Sequence, residues 1–204
     1  MTNRTPIPAS PGGATVYLLR HGQTKLNAAG ALRGLSDVEL DEIGKQEAQR
    51  LARLFELVGL AQVVSSPLRR ARDTAAAVAQ EAGAHLMVDP RFVDRDYGRW
   101  TGRSAEELDR SFGDVNNAPG VEPASAVTAR VVDGLREVVA RADGHLVAVV
   151  AHDAVNRHLL AHLVPGLDGA GLAQPTGCWN RLVLTSHGWE APVIGAVPGD
   201  GASP

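Results

Sequence analysis

The chain has 204 residues, 44% hydrophobic and 21% charged, as expected of one globular domain with a large core or two small ones. A net charge of −3 and a pI near 6.1 exclude a general attraction to nucleic acid or anionic lipid, so any anion site has to be built locally. A single cysteine, Cys178, excludes an intrachain disulfide framework and a cysteine-based zinc site, and it suits a reducing cytoplasm.

In chain order, residues 1–14 are rich in Pro, Gly, Ser and Thr and lack the apolar core of a secretory signal, which predicts a flexible leader. Gly12-Gly13 lacks the following helix and the Lys-Ser/Thr of a P-loop, so it reads as linker. Val16–Leu19 is a short apolar run that predicts a buried strand. From Asp41 through Gly59 the spacing is helical, with Ile43, Ala48, Leu51, Leu54, Leu57 and Val58 as expected core positions. Gln62–Ser65 is a second strand, and Pro67 suits the first turn of a helix running from Leu68 to about Ala82.

His85–Val88 is a third strand, and a polar, Gly-containing stretch from Asp94 to Gly120 holds a short helix near Glu106–Ser111. A long amphipathic helix is expected over Glu122–Ala142, then a strong strand over His145–Ala151 and a helix over Ala154–Leu163. Arg181–Thr185 and Trp189–Ile194 suggest a terminal hairpin or edge strands, and residues 197–204 a flexible tail. No run approaches the roughly 18 apolar residues of a membrane span, and no internal repeat is present. Alternating strands and helices predict one α/β domain over 15–196, a three-layer α/β/α arrangement around a mostly parallel sheet.

In such sheets ligands bind beyond the carboxyl ends of strands. Arg20-His21 follows the first strand, Ser65-Ser66 the second and His152-Asp153 the late one, so all three polar clusters are expected to meet in one pocket. The parts suit phosphoryl transfer. A neutral His21 can attack phosphorus. Arg20 and an arginine from SSPLRRARDTA can grip phosphate oxygens. His152 adds a further cation or donor, and a carboxylic acid has to protonate the leaving alkoxide.

Four segments together resemble the histidine phosphatase superfamily, which includes the cofactor-dependent phosphoglycerate mutases: LLRHGQTKLN, SSPLRRARDTA, FVDRDYGRWTG and VAVVAHDAVNR. The resemblance spans about Val16 to Leu184 and keeps the family's motif order. It implies a phosphoglycerate mutase-like fold, with His21 as the nucleophile that becomes phosphohistidine and Arg20, Arg70 and His152 as the phosphate pocket. It implies a phosphate-binding role for Asn27 and places Gly34 at the usual glycine of the substrate-side loop. Arg95 and Tyr97 match the mutases' substrate-contacting R-x-Y. In PGVEPASAVTARV, Val121 and Pro123 depart from the family's P-G-G-E-S segment.

Two further departures concern the acid. Asp94 stands where glutamate is usual, one methylene shorter, and Asp153 follows the second histidine where this branch commonly has glycine. Asp94 leads as proton donor with Asp153 as the alternative, and Asp153 also suits an N-cap for a helix starting at Ala154.

The remaining candidates have plainer readings. His158 and His162 lie four apart on a helix without the glutamate of H-E-x-x-H, and they are expected to be structural, like His85, His145 and His187. Arg69 and Arg72 flank Arg70 and read as solvated helix face, Cys178 as a packed residue, and Asn180 as uninformative alone. The expected protein is a metal-independent phosphomonoesterase, monomeric or homodimeric, with a small phosphorylated substrate and no cofactor, nucleic-acid or membrane partner. The alternatives are a 2,3-bisphosphoglycerate-dependent mutase and a non-catalytic phospho-ligand binder. The interval Gly98–Gly144 is short for a mutase, whose site is closed by an extra segment there.

Overall fold

A computed structural model describes residues 13–204. Six strands form one sheet: β1 (Ala14–Arg20), β2 (Gln62–Ser65), β3 (His85–Val88), β4 (Val147–Ala151), β5 (Trp179–Thr185) and β6 (Gly188–Ala196). Their spatial order is β3-β2-β4-β1-β5-β6. The first four run parallel, while β5 pairs antiparallel with β1 and β6 antiparallel with β5. The terminal hairpin is therefore present, but of its two strands β5 lies inside the sheet and β6 forms the edge opposite β3. The leader expected over 1–14 falls outside the described residues up to residue 12, and Ala14 already opens β1.

Six α-helices flank the sheet: α1 (Lys25–Ala28), α2 (Glu42–Phe55), α3 (Arg69–Ala82), α4 (Ala105–Phe112), α5 (Ala124–Ala142) and α6 (Asp153–Leu163). Strand alternation explains the three layers. Val16 and Leu18 of β1, with Val147 and Val149 of β4, join α5 and α6 in one buried cluster. Tyr17 and Leu19, with Ala148 and Val150, face the other way into a second cluster with α2 and α3. There Tyr17, Phe55 and Trp179 meet edge-on or tilted, with centroids 5.0 to 6.3 Å apart. Each such ring contributes about 2–3 kcal/mol by leaving water. A smaller third cluster of Leu32, Tyr97, Leu108 and Ala118 closes the 94–120 segment over the 30–36 loop. Among the described residues no helix is long and apolar enough to cross a membrane.

Several local expectations change. In α2 the buried face is Gly44, Ala48, Leu51, Ala52 and Phe55, whereas Ile43 and Leu57 are exposed. Ile43 sits on the solvent side of the first turn, and Leu57 lies beyond the helix end, where the 3.6-residue period no longer applies. Helix α3 begins at Arg69 with Leu68 at its N-cap, so Pro67 lies outside the first turn. His145 precedes β4 rather than belonging to it. In the C-terminal segment, Ala202 packs against the second cluster.

One contact between loops and helices governs the geometry near Arg20. A Cβ on Gly44 would lie 2.0 Å from the Gln23 carbonyl oxygen, and one on Gly22 would lie 2.3 Å from the Gly44 carbonyl oxygen. Gly44 is the third residue of α2, whose N-cap Asp41 accepts its N–H at 2.8 Å. The turn after β1 therefore presses backbone to backbone on the start of α2. Replacing Gly44 with Ala gains about 1 kcal/mol of helix propensity but forces that contact apart. Gly44→Ala is expected to lose a net 1–3 kcal/mol or so in urea unfolding. A raised unfolding midpoint would show that the contact is not limiting.

Candidate active site

The parallel registers bring the strand ends level. Arg20 of β1 pairs with Ala151 of β4, and Ser65 of β2 with Val150, so His21, Ser66 and His152 emerge side by side. The ladders continue one step past the strands: His21 N–H donates to the Ala151 carbonyl at 3.1 Å, and Ser66 N–H to Val150 at 3.0 Å. Gly22 N–H donates to Thr74 Oγ1 at 3.1 Å, which ties the turn to α3.

His21 is fully buried. Its Nδ1 lies 2.7 Å from the Gly22 carbonyl oxygen, which can only accept, so Nδ1 carries the proton. Nε2 is left as the acceptor and takes the Arg70 Nε–H at 3.2 Å. Burial first, then the charges of His152, Arg70 and Arg20, hold the imidazole well below its ordinary pKa of 6.5. A neutral ring with its lone pair on Nε2 is the nucleophilic form.

Arg70 has no exposed surface and spends its donors on four partners: His21 Nε2, the Ser36 carbonyl at 2.7 Å, the Gly34 carbonyl at 3.0 Å and Asp94 Oδ2 at 2.9 Å. Asp94 is equally buried, and its Oδ1 accepts from Arg95 N–H at 2.9 Å. The His152 ring stands 5.1 Å from that of His21. Ser66 Oγ accepts from Leu68 N–H at 3.3 Å and lies 2.7 Å from His152 Nε2. A hydroxyl both donates and accepts, so this contact fixes the orientation of the His152 ring with either nitrogen protonated. The buried Nδ1 of His152 has no hydrogen-bond partner among the described residues and sits 3.7 Å from Asp94 Oδ2. Arg20 donates to the Gln174 carbonyl, faces Asp153 Oδ1 at 3.8 Å, and keeps a buried Nε–H without a partner. The start of α6 directly after His152 adds the positive end of a helix dipole.

The family model described as "Histidine phosphatase superfamily (branch 1)" matches residues 16–196. The chain belongs to this superfamily. It is 35% identical over 165 residues to the bifunctional protein Rv2228c of Mycobacterium tuberculosis, covering 72% of this chain but only 45% of that protein. So it spans less than half the length of that relative. With the uncharacterized phosphatase PhoE of Bacillus subtilis it shares 30% identity over 178 residues, 86% of this chain and 91% of PhoE. Among solved structures, the mycobacterial glucosyl-3-phosphoglycerate phosphatase Rv2419c with VO3 aligns at 29% identity and a TM-score of 0.78, covering 90% of this chain and 99% of that one.

The other expected positions in this histidine phosphatase domain distribute unevenly. Gly34 adopts φ +50° and offers its carbonyl to Arg70, and a Cβ there would meet Thr101 Oγ1 at 2.8 Å. Asn27 closes a capping box with Thr24, its Oδ1 accepting from the Thr24 N–H and hydroxyl. Arg95 and Tyr97 are buried, with the Arg95 guanidinium 5.8 Å above the Tyr97 ring, and both line an open cleft of about 700 Å³. Asp153 is not an N-cap: α6 starts at Asp153 itself, and its carboxylate accepts from Arg157 Nε at 2.9 Å. His158 also lines the cleft, while Arg69 and Arg72 are exposed, Arg69 pairing with Glu39 and Asp73. Burial pushes the Cys178 thiol up to about 12, so it stays protonated.

Sequence reading passed over three supports. Arg130 donates to the Arg91, Val93 and Asp94 carbonyls while pairing with Glu122, and so clamps the segment that carries Asp94. Asn180 is fully buried and, with Gln174, joins β5 to the Leu18 carbonyl and Gly195 N–H. Arg33 lines the cleft beside Gly34. None has a motif of its own, because long-range partners define each of them.

The two central histidines link stability to pH. Both are fully buried and held well below 6.5, His152 by burial and then by Arg70, Arg33 and Arg20. Below pH 6.5 the unfolded chain takes up protons that the folded site refuses, so stability falls as pH falls through that window. Melting temperature is expected to drop between pH 7.5 and 5.5. The His21→Asn, His152→Asn double variant should flatten that slope, and an unchanged slope would place the origin elsewhere.

Proposed function

We propose that the chain is a cytoplasmic phosphomonoesterase that hydrolyses a small phosphorylated metabolite through a phosphohistidine on His21. One observation carries the reading. Around the Nε2 of a neutral, tautomer-locked histidine stand two buried guanidiniums, and two buried nitrogens of the pocket, Arg20 Nε and His152 Nδ1, have no hydrogen-bond partner among the described residues. Buried nitrogens without a partner are costly, and a phosphoryl group would accept from those that carry hydrogen. The family membership and the phosphatase relatives support the same reaction class.

In the proposed cycle the Arg70 Nε–H turns from His21 Nε2 to a phosphoryl oxygen, and the freed Nε2 lone pair attacks phosphorus, forming the N–P bond as the ester P–O bond breaks. Arg20, Arg70 and His152 hold the equatorial oxygens, where charge stabilisation supplies most of the acceleration. Asp94 gives its proton to the leaving oxygen. Its place supports this role: Asp94 Oδ2 lies against Arg70, which holds His21, and 3.7 Å from His152, whereas Asp153 faces Arg20 at 3.8 Å and Arg157. In the second half the Asp94 carboxylate takes a proton from water, the water oxygen attacks phosphorus, and the N–P bond breaks to release phosphate. The open cleft beside the site admits that water, which favours hydrolysis over a mutase reaction.

His21→Ala is expected to abolish phosphate release and the acid-labile phosphate trapped on the protein. Asp94→Asn should slow glycerol 3-phosphate hydrolysis by about 10²–10⁴-fold. It should slow p-nitrophenyl phosphate, whose leaving group needs little protonation, far less. The acid assignment fails if Asp153→Asn shows that selective defect and Asp94→Asn slows both esters equally. Wild-type protein that releases no phosphate from either ester sinks the whole reading.

A further inference from the structure

The cleft that Asp153 lines is bordered by three arginines, Arg33, Arg95 and Arg157. Their circumstances differ. Arg157 is paired with Asp153 and also donates to the Gly169 and Ala170 carbonyls, so its charge is answered within the protein. Arg95 gives its Nε–H to the Glu122 carbonyl at 2.8 Å, and Arg33 gives Nη1–H to the Ala31 carbonyl at 3.1 Å. Neither guanidinium forms an ion pair among the described residues, and each keeps a buried N–H without a partner: Arg33 Nε and Arg95 Nη2. Arg95 is only 4% exposed.

Asp109 and Asp114, which also line the cleft, form no ion pair with Arg33 or Arg95 among the described residues. Asp109 accepts from Val115 N–H at 2.9 Å, and Asp114 from Asn116 N–H at 2.6 Å, each serving its own turn. Arg33 also lies close enough for its charge to act on Arg20, Arg70, His152 and Tyr97. It adjoins Gly34, whose carbonyl is bound by Arg70, so it stands at the junction of the phosphoryl pocket and the cleft. A cation gathered with other cations and left with an unanswered buried donor is unfavourable in the empty protein. An anion from outside would remove that penalty, and a guanidinium fork suits a carboxylate or a phosphate alike.

We infer that Arg33 is a specificity-determining residue that selects phosphomonoesters carrying a second acidic group a few bonds from the ester. This rests on the phosphomonoesterase reading and adds the class of substrate to it. The second group enters the cleft and takes the free donor of Arg33, with Arg95 supplying the facing positive charge. The transferring phosphoryl group remains with Arg20, Arg70 and His152.

The test compares substrates that share a skeleton. 3-Phosphoglycerate and glycerol 3-phosphate differ in carrying a carboxylate or a neutral hydroxymethyl group, and fructose 1,6-bisphosphate against fructose 6-phosphate asks the same of a second phosphate. Wild-type protein is expected to prefer the doubly acidic member of at least one pair by tenfold or more in kcat/KM. The pair that shows it tells carboxylate from phosphate. Arg33→Gln should cut that preference about tenfold, mainly through KM, and Arg33→Lys should restore part of it. The inference is overturned if wild type shows no preference in either pair, or if Arg33→Gln slows both members equally, which would place Arg33 on the transferring phosphoryl group. Absence of any hydrolysis, p-nitrophenyl phosphate included, would instead sink the phosphomonoesterase reading. Calorimetric binding of the same pairs to the wild-type protein and to Arg33→Gln would then decide the charge preference by itself.

Discussion

The buried guanidinium of Arg70 is the interaction on which the site depends. Its donors reach the end of β1 at His21, the loop carbonyls of Gly34 and Ser36, and the acidic segment at Asp94. A permanent cation without exposed surface is tolerable only when its charge is answered, here by Asp94 and three further acceptors, because an uncompensated buried charge costs several kcal/mol. Three separate stretches of chain must therefore converge on α3. Removing any one partner strands part of that charge.

The backbone supplies the complementary constraint. Parallel ladders through β1, β4 and β2 end at matching levels, which places His21, Ser66 and His152 in a row. The turn after β1 has to pass against the first turn of α2, and only paired glycines at 22 and 44 leave room. Packing below the sheet plane and chemistry at its carboxyl edge are thus joined through one contact. Hydrogen bonds to carbonyl and hydroxyl groups then orient both rings, Nδ1–H of His21 on Gly22 and Nε2 of His152 on Ser66. Nε2 of His21, which accepts from Arg70, and Nδ1 of His152, 3.7 Å from Asp94 Oδ2, thereby face the same arginine–aspartate pair.

Much of this was legible in the chain because apolar runs ending in polar turns mark strand ends. Four short motifs carry the family resemblance, and three of them lie at strand ends that meet in the structure. Asp94 was legible as a carboxylate in the right segment. Its engagement by Arg70, and the clamp of Arg130 behind it, were not, since those partners lie 24 and 36 residues away. Periodicity likewise misassigned Ile43 and Leu57, because a helical pattern does not report where the helix ends or which way its first turn faces.

The sequence by itself determined the α/β alternation, the family, and the residue types gathered at the strand ends, because period, turn residues and motif spacing are local properties. The tertiary structure decided which atoms face one another. It locked the His21 tautomer, tied Asp153 to Arg157, buried Arg95, and brought Arg33 to the junction of pocket and cleft. Those outcomes depend on hydrogen bonds and charge partners between segments distant along the chain, and no local pattern encodes them.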